Sequence, residues 1–600
     1  MSDSSDQASR SGGTRGPSWG GVIVFFAVLV AFFFVHLFAT FRGIASPAAM
    51  DAAQIAREFA RGNGFHTKVI RPYAWQQRLQ AGKNAPLMQM QDAQDPPLPA
   101  LLLVPLFKVF KDQWAFPESS RIYPLDRVVA GLSLLLFVGA IGLTYLTVQR
   151  VFDGWIAGWT VLLMLFCQFL WDLGRGGLAP MMLFFLFALA VYWMVIAMEL
   201  PEEGKRGAGK FALGIGVLCA LMVLTHWMAL WLVLGFTICV ALWFRPRMVA
   251  VWILVLPLLA LIGWGWRNQG ISGDVLGSSK AILQATLATS SDSQLLRDFS
   301  GVSPPVDLSF LLRRGVSNVA EQLRQMYSHL GSVLPALLFF LALLHPFRRV
   351  ETSQLRWAMA ILWGSVLVGM CFMGLPKNEK DVNQCHYLFI PLFAAYGLAF
   401  LSVLWARLGF SSQNWWGKNG LAAGAFALSA LPLISVLPME ILTGLYNKGQ
   451  FAHWPPYLPD RISKVKEFVA EDELIYTDVP WAVAWYADRT AVWLPVELAQ
   501  FAEMRERSKA EGNAVAGLLL SPASAEVATV PDVFSGPYRA WAPEVYRGAG
   551  IGLGLDTLST GPFPFKEIFP LAGYPVGSRF VVQMAFMSDT KRWEQQNAAQ

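Results

Sequence analysis

The sequence predicts a polytopic α-helical membrane protein of about eleven spans, N-terminus in and C-terminus out, with a small extracytoplasmic α/β domain at its C-terminal end. Three observations predict this class. Apolar residues make up 55% of the 600-residue chain and charged residues only 15%, where soluble globular chains carry about a quarter. Apolar runs of roughly bilayer-spanning length recur between residues 20 and 445. Beyond residue 445 the runs shorten and alternate between strand-like and helix-like patterns, as in a layered α/β fold.

The first 19 residues, MSDSSDQASRSGGTRGPSW, are rich in Ser and Gly and predict a disordered inner tail. The run at 20–41 is long for a signal-peptide core and reads as a retained first span. Further spans are predicted at 125–149, 155–171, 180–198, 211–226, 228–244, 249–266, 330–345, 357–374, 386–406 and 419–440. The stretch 211–244 is too long for one crossing and breaks at Thr225-His226-Trp227. Residues 98–110 are too short for a crossing and read as an interfacial or re-entrant segment. With that segment left out, Gln149-Arg150, the GKRGAGK loop at 204–210, Arg245-Pro246-Arg247 and Phe347-Arg348-Arg349 all fall inside, as the positive-inside rule requires. The large outer segments are then 42–124, 267–329 and 441–600. The chain divides into a tail (1–19), a transmembrane domain (20–445) that includes the first outer loop with its surface helices, and an outer α/β domain (446–600).

The net charge of +6 is carried by short loops beside apolar runs, where Lys and Arg set topology, so the bilayer and not nucleic acid is the expected partner. The five Cys lie in or beside apolar runs with no CxxC or metal-ligand spacing, and the C-terminal part has none, so no disulfide framework is implied.

The first outer segment opens with SPAAMDAAQIAREFARGNGFHTKVIRP. Ala52, Ile55, Ala56, Phe59 and Ala60 recur at helical spacing, with Arg57, Glu58 and Arg61 on the other side. Gly62-Asn63-Gly64 ends this helix, which should lie along the membrane surface. Asp51 stands at its start, where the helix dipole favours a carboxylate; a plain cap is the competing reading. Asp95, ahead of Pro96-Pro97, is the other acid in reach, or else a turn residue before a diproline.

IAREFARGNGF at 55–65 and DPPLPALLLVPLFKVF at 95–110 follow the first span in an order that resembles the lipid-linked-sugar glycosyltransferases of the C-type membrane fold. The likeness is greatest to the family 39-like bacterial relatives of dolichyl-phosphate-mannose protein mannosyltransferases and lipid A aminoarabinose transferases, and it covers 20–440. Those proteins place an acidic residue after the first span, then a surface helix ending in a GxGF-like turn, then a PPLY-like element. Aligned on Ile55-Ala56-Arg57 and Gly62-Asn63-Gly64-Phe65, the family's Pro-Asp-Glu falls on Pro47-Ala48-Ala49. The expected acids are absent, and Asp51, roughly one helical turn on, is the shifted substitute. Arg127 leads the second span, facing a phosphate or snorkelling to headgroups.

Further matches follow along the chain. Arg175 and Pro180 match the family's SR…PD element, while Met181 stands where relatives carry an aspartate that serves a metal or the acceptor. No cofactor is therefore assigned, and a divalent metal stays open. Asp172, three residues before Arg175, contacts the acceptor or pairs with that arginine. His226 takes the place of a basic residue near the lipid phosphate, the alternative being a histidine bonded to backbone. Trp266-Arg267-Asn268, with Gly270 and Gly273, resembles the family's WxxRNxxxxG element, whose arginine can fork onto a phosphate; an interfacial anchor is the other reading. His386, opening Cys385-His386-Tyr387-Leu388, resembles an HYL-like start and is a further phosphate or acceptor contact. In the C-terminal part, strands are predicted at 474–477, 491–494, 514–520 and 580–584, with a helix in DVPWAVAWYADR. Asp478, Trp481 and Trp485 there offer a sugar contact or simply core, and no GxGxxG, P-loop or nucleophile elbow is present.

The resemblance implies a polyprenyl-phosphate-linked sugar as donor and a lipid, glycan or protein acceptor, met at the periplasmic face of a bacterial inner membrane. An acceptor hydroxyl would attack the anomeric carbon opposite the phosphate, with inversion. Asp51, then Asp95, would take its proton. Arg267, with His226, Arg175 and His386 behind it, would face the leaving phosphate, and Asp172, Asn268 and Trp481 the acceptor or sugar. Two other classes compete. A lipid or sugar transporter or flippase would place charge near the midplane and show repeats with broken helices. A noncatalytic family member would account for the missing acids at positions 48, 49 and 181.

Overall fold

The computed structural model describes residues 19–83, 86–117, 122–200, 207–288, 291–373, 383–407, 414–446, 458–521, 539–550, 563–576 and 579–597. The tail before Trp19, the start of the GKRGAGK loop, the polar turn at 377–381 and most of the linker HWPPYLPD lie outside the described residues.

The apolar runs form helices because backbone in lipid can satisfy its polar groups only within the helix. Among the described residues, six helices are long and apolar enough to cross a bilayer alone: Pro124–Val151, Leu178–Met198, Arg247–Ser272, Val350–Met373, Cys385–Arg407 and Trp415–Gly444. Gly154–Leu165 and Gln168–Gly176, bent by 57° at their junction, make a seventh if they are one crossing. The expected spans at 20–41, 211–226 and 228–244 are shorter apolar helices, Ile23–Ala39, Ala208–Val223 and Ala229–Trp243. The expected span at 330–345 contains two single turns, Leu334–Leu337 and Phe339–Ala342. Its backbone packs hard on a neighbouring helix: a Cβ at Gly397 would lie 1.8 Å from the Pro335 carbonyl oxygen. Length and composition therefore give a multi-pass helical membrane protein without reaching eleven crossings by themselves.

The basic loops gather at one end of the helices. Arg150 pairs with Glu199 at 2.8 Å, and Thr352 and Arg349 donate to the carbonyls of Val151 and Phe152. Surface helices and a sheet occupy the other end. Pro47–Arg61 begins at Ser46, whose hydroxyl accepts the Ala49 N–H at 3.4 Å, and stops at Gly62 in the left-handed region, φ 97°. Its apolar face packs on Leu98–Val109, the segment predicted to be interfacial.

The sheet has six strands: β1 Val69–Ile70, β2 Glu473–Thr477, β3 Thr490–Trp493, β4 Ala514–Leu520, β5 Glu567–Val576 and β6 Arg579–Ser588, in the order β1-β3-β2-β4-β6-β5. β1, β3, β2 and β4 run parallel, and β6 is antiparallel to both β4 and β5. The predicted strands fall on β2, β3, β4 and β6. β1, however, comes from the polar segment after the first apolar helix, with Val69 opposite Ala491 and Ile70 opposite Val492. That segment and the C-terminal part are thus joined through one sheet.

That junction corrects the reading of the first surface helix. Its polar side does not face water: Arg57 is 1% exposed. The predicted helix in DVPWAVAWYADR is a single turn, Pro480–Ala482, continuing as a π-helical turn, Val483–Ala487. Arg57 donates to the Ala484 and Trp485 carbonyls at 2.7 and 2.9 Å and to the Tyr123 hydroxyl at 3.2 Å. Asp488, left-handed at φ 55°, closes the turn and receives Arg57 at 3.0 Å, Arg61 at 2.7 Å and Lys68 at 2.6 Å. Burial pulls the Asp488 carboxyl upward, but the three cations outweigh it and hold the group well below the usual carboxylate range.

Candidate active site

The ends of several helices enclose a cavity of about 340 Å³. Its wall takes Ser46–Ala49 from the start of the first surface helix, Asp95-Pro96 from the turn before Leu98–Val109, Gly176–Pro180 from the loop ahead of Leu178–Met198, and Thr225–Met228 from the break ahead of Ala229–Trp243. Ala48 and Ala49, where the family's acids would fall, are part of this wall. Gly177 permits the closest approach, since a Cβ there would lie 2.5 Å from that of Ala49.

Three helices, Pro47–Arg61, Leu178–Met198 and Ala229–Trp243, begin on the wall. The positive ends of their dipoles favour an anion there, although the N–H groups of Ala229, Leu230 and Trp231 already donate to the carbonyls of His226, Trp227 and Met228 and the Ala49 N–H to Ser46. The polar side chains on the wall include Asp95, Asp172, Asp292, His226 and Asn383, with no Arg or Lys among the described wall residues.

Asp95 belongs to a cluster of three carboxylates around one guanidinium. Arg71 is paired with Asp51, lies 3.6 Å from Asp92 and 3.9 Å from Asp95. Asp92 also builds the turn that carries Asp95, its Oδ2 accepting the N–H groups of Gln94 and Asp95 at 3.3 Å each. The Asp95 side chain is 35% exposed and opens on the cavity. Burial by the surrounding protein raises its carboxyl; Arg71 opposes this and Asp92 and Asp51 add to it, leaving it above the usual carboxylate range. Asp51 is only 2% exposed, is held by Arg71 and by the Gln54 amide at 3.0 Å, and does not line the cavity. The first-choice base of the sequence is thus turned toward Arg71, and the second faces the open space. Arg71 and Asp92 escaped the sequence reading, because no local pattern announces an arginine shared by acids 20 and 21 residues away on either side.

The other expected contacts divide. Asp172 lines the cavity and is paired with Arg175. Arg175 also donates to Thr40 at 2.8 Å and Glu440 at 3.1 Å, so it ties three helices together and is not a wall residue. His226 lines the cavity, and its Nδ1 accepts the Met228 N–H at 3.2 Å, which leaves the proton on Nε2. With Nδ1 accepting a backbone N–H, the ring offers a neutral hydrogen bond where a cation was expected. Arg267 lies off the wall, stacked on Trp264 at 4.3 Å and Phe65 at 4.9 Å, and donates to the Asp92 carbonyl at 2.8 Å. Asn268 is fully buried and accepts from Arg267 at 3.2 Å. His386 is also buried, accepting from the Trp363 indole at 3.1 Å and stacked on His329. Trp481 packs edge-to-face on Trp493 beside the sheet, away from the cavity. Arg267, Asn268, His386 and Trp481 were expected to touch donor or acceptor; none of the four lines this cavity. Among the described residues, no three His, Cys, Asp or Glu side chains gather to hold a metal ion.

A multi-pass helical body, surface helices beside a cavity at one end and a sheet capping that end together match the C-type membrane glycosyltransferase fold. ArnT from Cupriavidus metallidurans, in a crystal structure bound to undecaprenyl phosphate, aligns with 96% of this chain and 99% of its own at a TM-score of 0.56 and 13% identity. The same protein in its apo state aligns over 95% and 98%, with a TM-score of 0.53 and 12% identity. At that identity the likeness is one of fold. No protein-family model matches the sequence, and no curated protein matches it.

Proposed function

We propose that this chain is an inverting glycosyltransferase that moves a sugar from a polyprenyl-phosphate carrier to an acceptor hydroxyl at the outer face of the membrane, with Asp95 as the general base. The observation that carries this reading is the placing of Asp95 on the wall of a cavity where three helices begin. A carboxylate raised above its usual range is a better match to proton removal from a hydroxyl than an ordinary one. The positive dipole ends of the helix starts and the His226 Nε2–H would face a leaving phosphate without a lysine or arginine on the described wall. The solved neighbour of the same fold is itself bound to undecaprenyl phosphate.

In this scheme the acceptor O–H gives its proton to an Asp95 oxygen as the hydroxyl oxygen bonds to the anomeric carbon. The bond from that carbon to the phosphate oxygen breaks, and the electron pair leaves on the polyprenyl phosphate. Attack from the far side inverts the centre. Arg71 and Asp92 position the Asp95 carboxylate, and Arg267 holds the Asp92 backbone. The positive-inside pattern supports eleven crossings with the cavity and the 446–600 domain outside, in a bacterial inner membrane. The acceptor is a lipid, glycan or protein.

The test is a transfer and hydrolysis assay on purified protein with a panel of radiolabelled polyprenyl-phosphate sugars. One sugar should be transferred or hydrolysed by the wild type, while Asp95→Asn binds it without turnover. Donor binding without turnover by the wild type would favour a noncatalytic family member. Movement of the lipid across vesicles without sugar transfer would favour a flippase.

A further inference from the structure

The outer segment 267–329 contains a helix whose polarity is inverted relative to a water-facing surface helix. Leu308–Arg324 packs on the end of the Val350–Met373 span through its polar side: Asn318 donates to the Cys371 carbonyl at 2.8 Å and Gln322 to the Cys371 sulfur at 3.2 Å. A third polar group, Arg314, donates to the Ala285 carbonyl at 2.9 Å. The opposite side carries Leu308, Leu312, Val316 and Leu323, each between 57% and 72% exposed. Steps of four from Leu308 to Val316 and of seven to Leu323 keep them on one stripe, and exposed Ser309, Arg313, Ser317 and Arg324 run alongside it.

We infer that this stripe is buried in the outer leaflet of the bilayer, with the helix lying at the boundary of headgroups and acyl chains. A soluble surface leaves few contiguous apolar stripes uncovered, and the charges beside this one sit where arginine heads reach lipid phosphates while their stems stay in apolar surroundings. The helix is also hydrogen-bonded at Cys371 to the end of a membrane span that exposes Val368, one turn from that contact, so it sits beside surface that lipid covers. The 267–329 segment is therefore a membrane-contacting element and not a loop standing in water.

The experiment uses the full chain in liposomes of phosphatidylethanolamine and phosphatidylglycerol, with nitroxide labels on Leu312→Cys and Val316→Cys, and on Glu471→Cys as a water-exposed reference. The native cysteines are buried, so unsubstituted protein serves as the labelling blank. Collisions with oxygen, which concentrates in lipid, are compared with collisions with a water-soluble nickel chelate. The oxygen-to-nickel ratio at positions 312 and 316 should exceed that at 471 several-fold. A ratio matching position 471 would place the stripe in water and overturn the inference. Protection from both reagents would show a protein partner or a second copy on the stripe, which overturns it equally.

Discussion

Asp488→Asn keeps the size of the side chain and removes the charge on which Arg57, Arg61 and Lys68 converge. Arg57 is buried but keeps three neutral acceptors, the Ala484 and Trp485 carbonyls and the Tyr123 hydroxyl. The loss is therefore smaller than the roughly 3–5 kcal/mol of a fully orphaned buried charge. It exceeds the roughly 0–1 kcal/mol of exposed pairs such as Arg61 and Lys68 would make alone. About 2 kcal/mol is expected, or roughly thirtyfold in the equilibrium for opening the turn. Hydrogen–deuterium exchange on the full protein should show amides 483–488 exchanging faster by that order, with the 251–272 span unchanged. Because the folded carboxyl is held below the unfolded value of about 3.9, its contribution is present above about pH 4 and lost only as pH falls through the depressed value. Wild-type protection of the turn should thus persist at pH 5. Equal exchange in wild type and variant would show that the three-cation cluster does not hold the C-terminal part on the surface helix.

Gly177→Ala places a methyl against Ala49 across the cavity wall; an overpacking cost of about 1–3 kcal/mol should lower Tm, and an unchanged Tm would mean that the two segments separate freely. His226→Ala leaves the Met228 N–H without its acceptor and should lower Tm by the equivalent of about 1–3 kcal/mol; an unchanged Tm would show that this bond does not fix the break between the two helices.

The membrane class and the strands β2, β3, β4 and β6 were legible because apolar run length and short-range alternation are local signals. The surface helix at Pro47–Arg61 was legible too, from its apolar periodicity and its glycine stop. The burial of its polar face was not. Arg57 and Asp488 are far apart in sequence, and a row of charges on an amphipathic helix looks the same whether water or a distant segment covers it. The pairing of β1 with β3 was hidden for the same reason, a two-residue strand being too short to carry a pattern. Asp95, Asp172 and His226, singled out from motif order, line one cavity. Which acid faces the cavity was not found, because Asp51 and Asp95 differ mainly in how closely Arg71 holds them.

That difference is also where the account is tested most directly. Single-turnover cleavage of a bound polyprenyl-phosphate sugar is to be followed against pH in wild type, Asp95→Asn and Asp51→Asn. Asp95→Asn should lose about 10²–10⁴ in rate while still binding donor. Asp51→Asn should keep its rate at pH 7, with the acid limb of its profile moved to lower pH, because Arg71 would then hold the Asp95 carboxylate with one competing charge fewer. Loss of turnover in Asp51→Asn with normal rates in Asp95→Asn would contradict the account and return the base to the start of the surface helix.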